Sequence, residues 1–244
     1  MFANILLSGP CNARCPFCIG KSLNSQLNQN NLSLFPLKNI DNFLQILIDK
    51  GITEISLTGT TTDPLLYQYQ TELVAYVRTR IPQAKISLHT NGRLLLQQKD
   101  IASLYDRISL SLPSFDEITY HHMMGVPGVL DVQTIIQQIN VPIKISCIVT
   151  GDTTNELPFF IQHCKALGIK RLTLRMLSHD MTNRETYIDP QKLGGKYLRM
   201  FANNPVYDFD GLEVTLRNFQ NSQISCINLY SSGLISNNYL LDQA

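Results

Sequence analysis

Ser8-Gly9-Pro10-Cys11-Asn12-Ala13-Arg14-Cys15-Pro16-Phe17-Cys18 holds three of the chain's six cysteines inside eight residues. Thiolates this close converge on one centre from a single loop, and soft sulfur ligands select zinc or an iron-sulfur cluster over hard cations. Three ligands leave one position open. A structural zinc site fills it with a fourth protein ligand, usually from a second Cys-x-x-Cys or His-x-x-x-His pair, and none follows here. On a four-iron cluster the open iron binds a small molecule instead. On this loop alone, a zinc knuckle and a cluster site both remain open.

Working outward, Phe2 to Ser8 reads as a strand, so the cysteine loop leaves its C-terminal end as a β-to-α connection does. Strand and helix then alternate. Strands are expected at Glu54–Thr58, Ala84–Thr90, Asp106–Leu112, Pro142–Thr150 and Lys170–Leu177. Helices are expected at Pro36–Lys50, Leu65–Arg80, Leu96–Leu104, Val129–Asn140 and Glu156–Leu167, with Gly51 and Gly168 as stop signals. Repeated βα units imply parallel pairing with right-handed crossovers, in a barrel or a doubly wound sheet. One strand face is apolar, for example Ile55, Leu57, Ile86, Leu88, Ile108 and Leu110, and the alternate face carries Ser56, Ser87, Ser109, Ser146 and Thr173. Parallel strands buried on both sides normally read as continuous apolar runs, so this alternation points to a partial (β/α)6 barrel around a polar lumen, the alternative being a sheet with one solvated face.

The spacing of Cys11, Cys15 and Cys18, with the aromatic Phe17 just before the last, resembles the cluster loop of the radical S-adenosylmethionine (radical SAM) enzymes. That resemblance implies a six-stranded partial barrel over residues 1–180 and a [4Fe-4S] cluster on the three cysteines. It further implies S-adenosylmethionine on the fourth iron, cleaved reductively to a 5′-deoxyadenosyl radical, with Phe17 near the adenine. The turn Gly59-Thr60-Thr61-Thr62-Asp63-Pro64 is similar to the family's Gly-Gly-Glu-Pro loop, with one glycine missing and Asp63 in place of the Glu. Backbone contact from Gly59, Thr60 and Thr61 is therefore expected to hold the methionyl end. His89-Thr90-Asn91-Gly92 resembles a Thr-Asn-Gly turn of the family, which makes Asn91 a ligand-contacting residue. Ser109 and Ser111 match family positions for the cofactor carboxylate or ribose, and Ser146 would touch the ribose. Arg175, near a strand end, is assigned to a carboxylate of cofactor or substrate, with a structural salt bridge as the other reading. An electron donor of flavodoxin or ferredoxin type is implied in the same way.

Residues 181–244 read as a C-terminal extension closing the barrel: a helix over Gln191–Ala202, then short segments Leu212–Phe219, Ile224–Leu229 and Leu234–Tyr239 that look like antiparallel hairpins. Cys226 lies on one of them and is a candidate hydrogen-atom donor to a substrate radical. Cys147 and Cys164 read as core residues, so a single cluster is expected. Tyr120-His121-His122-Met123-Met124-Gly125 is expected as a loop over the barrel mouth, and Lys144 and Arg171 as structural charges.

A formal net charge of +1 and 44% hydrophobic content give no case for nucleic acid or an anionic membrane. No apolar run approaches the roughly 20 residues of a membrane helix, and no export signal is read in Met1–Leu7. A cytoplasmic enzyme is expected, since cysteines kept for metal suit a reducing compartment. Its substrate would be a small organic molecule in cofactor, nucleotide or natural-product biosynthesis. The alternatives are a peptide or protein substrate and, outside catalysis, a metal-stabilised binding module.

Overall fold

Alternating apolar and small polar residues build the parallel strands β1 (Phe2–Leu7), β2 (Glu54–Gly59), β3 (Lys85–Thr90), β4 (Arg107–Ser111), β5 (Ile143–Val149) and β6 (Arg171–Met176). They are seen in a computed structural model that describes residues 1–176, 188–218 and 222–238. Between them run α1 (Ile40–Asp49), α2 (Gln70–Arg80), α3 (Lys99–Ala102), α4 (Glu117–Met124), α5 (Val132–Gln138), α6 (Gly151–Thr154) and α7 (Leu157–Ala166). Helix spacing sets what each buries. Phe43, Leu44 and Leu47 of α1 and Leu73, Val74 and Val77 of α2 are all buried, on the i, i+3, i+4 stripe of a surface helix. Each such side chain contributes about 1.5–3 kcal/mol on leaving water. Gly51, at φ +63°, and Gly168, at φ +75°, end α1 and α7 in the left-handed region as the stop signals required.

The chain divides into two compact units, one of Met1–Ser109, Ile135–Pro142 and Ser225–Ala244, the other of Leu110–Thr134 and Ile143–Ile224. In the first, β10 (Cys226–Leu229) pairs parallel with β1, which pairs with β2 and β2 with β3; β11 (Ile235–Ser236) runs antiparallel on β10. In the second, β5 pairs with β6 and β6 with β9 (Glu213–Asn218), all parallel. There β8 (Asn204–Asp208) and β7 (Lys196–Phe201) complete an antiparallel meander.

The polar strand face is buried, not solvated. Asn228, Asn4, Ser56 and Ser87 stand in register across β10, β1, β2 and β3, each 7% exposed or less. They bond sideways: Asn4 Nδ2 donates to Asn228 Oδ1 at 2.8 Å, and the Ser56 and Ser87 hydroxyls lie 2.8 Å apart. In the second unit Ser146, Thr173 and Thr215 form a like row.

Three expectations need correction. The helix over Gln191–Ala202 is absent: Gly194 at φ +89° closes a turn, and Lys196–Phe201 is strand β7. The C-terminal segments are not all hairpin strands, because β9 and β10 pair in parallel with β6 and β1. Residues 120–124 belong to helix α4, capped by Asp116 on Thr119 N at 2.9 Å, with Tyr120, Met123 and Met124 buried and both histidines exposed. The expected boundary at 180–181 and the strand ends at Leu177, Phe219 and Tyr239 lie outside the described residues. The described residues after 188 contribute strands to both units. Among the described residues, no helix is long and apolar enough to cross a membrane.

Candidate cluster and cofactor site

The site is built where β1, β2 and β3 end. Beyond Leu7 the chain is pinned at Ser8, whose N–H donates to Asn31 Oδ1 at 2.9 Å and whose hydroxyl lies 2.8 Å from Thr61 Oγ1. Gly9 N also donates to Thr61 Oγ1, at 3.1 Å, and Thr62 Oγ1 donates to Pro10 O at 2.5 Å. Thr60 N meets Leu7 O at 2.8 Å, and the Cys18 thiol reaches Thr60 O at 3.4 Å. The threonine turn thus holds the cysteine loop through the hydroxyls of Thr61 and Thr62 and the backbone of Thr60.

Two glycines make this closeness possible. A Cβ on Gly59 would stand 1.7 Å from Thr62 O, and one on Gly20 would stand 2.3 Å from Thr60 O. Neither position tolerates a side chain.

Asp63 ties the turn to the next strand. Its buried carboxylate accepts from Leu65 N at 3.0 Å, from Thr90 Oγ1 at 2.9 and 3.0 Å, and from Asn91 N at 2.6 Å. Burial pushes this carboxyl above its usual range, and the donors on Asn91, Leu65 and Thr90 pull against that rise. Asn91 carries the connection onward, donating from Nδ2 to Asn12 Oδ1 at 2.7 Å and lying 3.9 Å from the Cys11 sulfur.

The thiols fit a shared cationic centre. Burial first, then the neighbouring Cys18 and Cys11, push the Cys15 thiol up to about 11, and burial likewise raises Cys11. Three mutually opposing thiolates are unfavourable until positive charge stands among them. Yet among the described residues no three Cys, His, Asp or Glu side chains close on a point as the ligands of one metal ion do. A four-iron cluster asks for something different, sulfurs that face a common volume, because each cysteine binds its own iron. Three thiols from one loop, near enough for Cys18 and Cys11 to raise Cys15, are the donor set a four-iron cluster takes. A model of the radical SAM superfamily matches residues 5–189.

The chain belongs to the radical SAM superfamily. It is an enzyme of the kind that uses a [4Fe-4S] cluster and S-adenosylmethionine. Among curated relatives, a probable GTP 3′,8-cyclase of Methanococcus maripaludis is 25% identical over 220 residues, covering 84% of this chain and 71% of that protein. The GTP 3′,8-cyclase of Helicobacter pylori is 33% identical over 116 residues, 46% of this chain and 35% of that one. Among solved structures, Streptococcus suis SuiB bound to S-adenosylmethionine superposes with a TM-score of 0.58 at 19% identity, covering 79% of this chain and 46% of SuiB. The chain thus spans under half of that structure and about a third of the Helicobacter protein, and the likeness to SuiB shows a shared radical SAM fold.

Of the residues singled out by resemblance, Cys11, Cys15, Cys18, Gly59, Thr60, Thr61, Asp63 and Asn91 are brought together in the first unit. Phe17 lies half-buried in the same loop. Asp63 is taken up by protein donors on Leu65, Thr90 and Asn91. Ser109 is buried on β4, and Ser111 ends that strand in the second unit. Also in the second unit, Ser146 is in register with Thr173, and Arg175 with Ile148 and Arg217. Cys226 opens β10 opposite Phe2, five residues of strand before Leu7. At about 3.3 Å per residue that is roughly 17 Å from the end where the cysteine loop leaves. The radical SAM hydrogen-donor role expected of Cys226 is not supported by this placement.

Sequence reasoning gave no role to Ser8, Asn12, Thr90 and Lys21: the first three bond to the side chains of Thr61, Asn91 and Asp63, and Lys21 reaches the carbonyls of Cys15 and Pro16. It also passed over a basic cavity in the second unit. About 170 Å³ in volume, this is lined by Lys144, Arg171, Thr173, Arg199, Thr215 and Arg217. A more open cleft of about 490 Å³ shares Arg171 and Arg199 and adds Lys170 and Glu213. Its only signal in the sequence was single cations on separate segments, Lys144, Arg171, Arg199 and Arg217.

Proposed function

We propose that this radical SAM enzyme abstracts a hydrogen atom from a phosphate-bearing nucleotide in cofactor biosynthesis, a reading supported by its likeness to GTP 3′,8-cyclases, which act on GTP. The likeness to those cyclases carries the reading. The second unit adds a basic cavity where Lys144, Arg171, Arg199 and Arg217 gather beside Glu213, bound by Arg199 at 2.8 and 3.2 Å, with Lys144, Arg171 and Glu213 at the starts of β5, β6 and β9. Guanidinium and ammonium groups so grouped suit phosphate oxygens, which accept several charge-assisted bonds at once.

Within this reading Cys11, Cys15 and Cys18 hold the cluster. The backbone of Gly59, Thr60 and Thr61 takes the methionyl end of S-adenosylmethionine, and Asn91 fixes the loop through Asn12. Ser109, Ser111, Ser146 and Arg175 supply the remaining polar contacts to cofactor or substrate. The electron source is a flavodoxin- or ferredoxin-type carrier, and the compartment is the cytoplasm, where thiols stay reduced.

The test is anaerobic incubation of the reconstituted protein with dithionite, S-adenosylmethionine and each ribonucleoside triphosphate, with the unphosphorylated nucleosides and a peptide library in parallel. The reading expects 5′-deoxyadenosine release stimulated at least tenfold by one triphosphate and not by its nucleoside. Equal stimulation by the nucleoside, or stimulation by peptides alone, would overturn it.

A further inference from the structure

The cysteine loop carries two cations and no acid between Cys11 and Ser22, namely Arg14 and Lys21. They behave differently. Arg14 is exposed, whereas Lys21, although exposed at its surface, folds back over the loop. It sits in the turn Ile19–Ser22, where its N–H donates to Cys18 O at 3.0 Å. From there its ammonium reaches Cys15 O at 2.8 Å and Pro16 O at 3.4 Å. A surface lysine ordinarily keeps its rotamer freedom, so bonds to two successive carbonyls are a specific arrangement.

We infer that Lys21 is a positioning residue for the cluster, bracing the segment between the second and third thiols and raising the potential at which the cluster takes up an electron. The inference rests on the assignment of Cys11, Cys15 and Cys18 as ligands. Two physical effects follow from one side chain. By clamping the carbonyls of Cys15 and Pro16 while its own amide holds Cys18 O, Lys21 fixes the relative placement of two sulfurs. By keeping a positive charge beside Cys15, it stabilises the more negative, one-electron-reduced centre more than the oxidised one, and charge near a cluster is one of the levers on its potential. The hydrogen bonds matter to the second effect, because a freely moving surface charge would be largely screened.

The experiment compares wild type with Lys21→Arg, Lys21→Gln and Lys21→Met in the full chain, reconstituted anaerobically with iron and sulfide. Iron is counted, and the midpoint potential is read by dithionite titration with mediator dyes, followed by electron paramagnetic resonance. Small dyes at equilibrium need no docking surface, so weakened binding of a protein donor cannot move the result. The expected outcome is a more negative midpoint in the Gln and Met variants and a value near wild type in the Arg variant. Should Lys21→Met fail to load iron, Lys21→Gln, which keeps a donor but not the charge, decides the matter. A wild type that binds about four irons while Gln and Met match its potential would overturn the Lys21 role alone. A wild type that binds none would overturn the ligand assignment beneath it.

Discussion

Asp63 grips three neighbouring donors without a countercharge, and its loss shows what a single buried acceptor contributes. Asp63→Ala removes the acceptor of Leu65 N, Asn91 N and the Thr90 hydroxyl, which costs about 1–3 kcal/mol for each buried donor left unsatisfied. A urea midpoint well below wild type, together with reduced iron per protein, is the expected result. An unchanged midpoint would mean that the turn is held by backbone alone. At the same scale, Cys11→Ala, Cys15→Ala and Cys18→Ala each reduce iron to background, whereas Cys164→Ala, buried in α7 away from the loop, keeps wild-type iron. Iron analysis and the visible absorption band decide this pair. The three thiols were legible in the sequence because their spacing is itself the ligand geometry. Lys21 was not, since its contacts are with carbonyls, and carbonyls leave no mark on residue type.

The elements divide by how their information is carried. Faces of strands follow from alternation two residues apart, so the apolar and polar sides of β2, β3, β5 and β6 were readable. Partners are another matter: nothing in Cys226–Leu229 says that it lies parallel to β1 rather than antiparallel to a neighbour. Strand β7 was hidden by its turn, for Ala202 and Asn203 both adopt positive φ, 47° and 61°, without the Asn-Gly pair that normally advertises such a hairpin. Close packing between elements gives a sharper test. Gly20→Ala forces backbone apart at Thr60 and is expected to cost about 1–3 kcal/mol and to lower iron loading. Gly151→Ala, where a Cβ meets nothing within 4 Å, should stay within about 0.5 kcal/mol of wild type. Thermal unfolding of the two variants side by side checks both.

Taken as a whole, the molecule is nearly neutral but unevenly charged, and its pH response follows the second unit's strands. Arg199 holds the Glu213 carboxyl below its ordinary range, first by hydrogen bonds and then by its charge. A carboxyl lowered in the folded state stabilises it fully above the unfolded value of about 4.3 and ceases to do so as pH falls through the lower folded value. Glu213→Gln should therefore lose less of its urea midpoint between pH 6 and pH 3 than wild type does, and an identical loss would assign acid sensitivity to other groups. The same change leaves the basic cavity with more net positive charge, so nucleotide affinity is expected to rise, more strongly at low salt. Equilibrium binding of a ribonucleoside triphosphate at two ionic strengths measures it.

The bond between Asn4 and Asn228 joins residues 224 positions apart. On a ribosome adding about 5–20 residues per second, the strand that carries the cysteine loop waits roughly 10–45 s for its last neighbour to be made. During that interval β1 offers an unpaired edge, and the three thiols of the loop are already made without the fold that arranges them. Iron and sulfide delivered then would meet an unfinished cradle. Maturation therefore belongs after β10 has been made, and a chain stopped at Ile224 should show fast exchange at the β1 amides that face β10 and take up iron poorly, however complete its ligand loop.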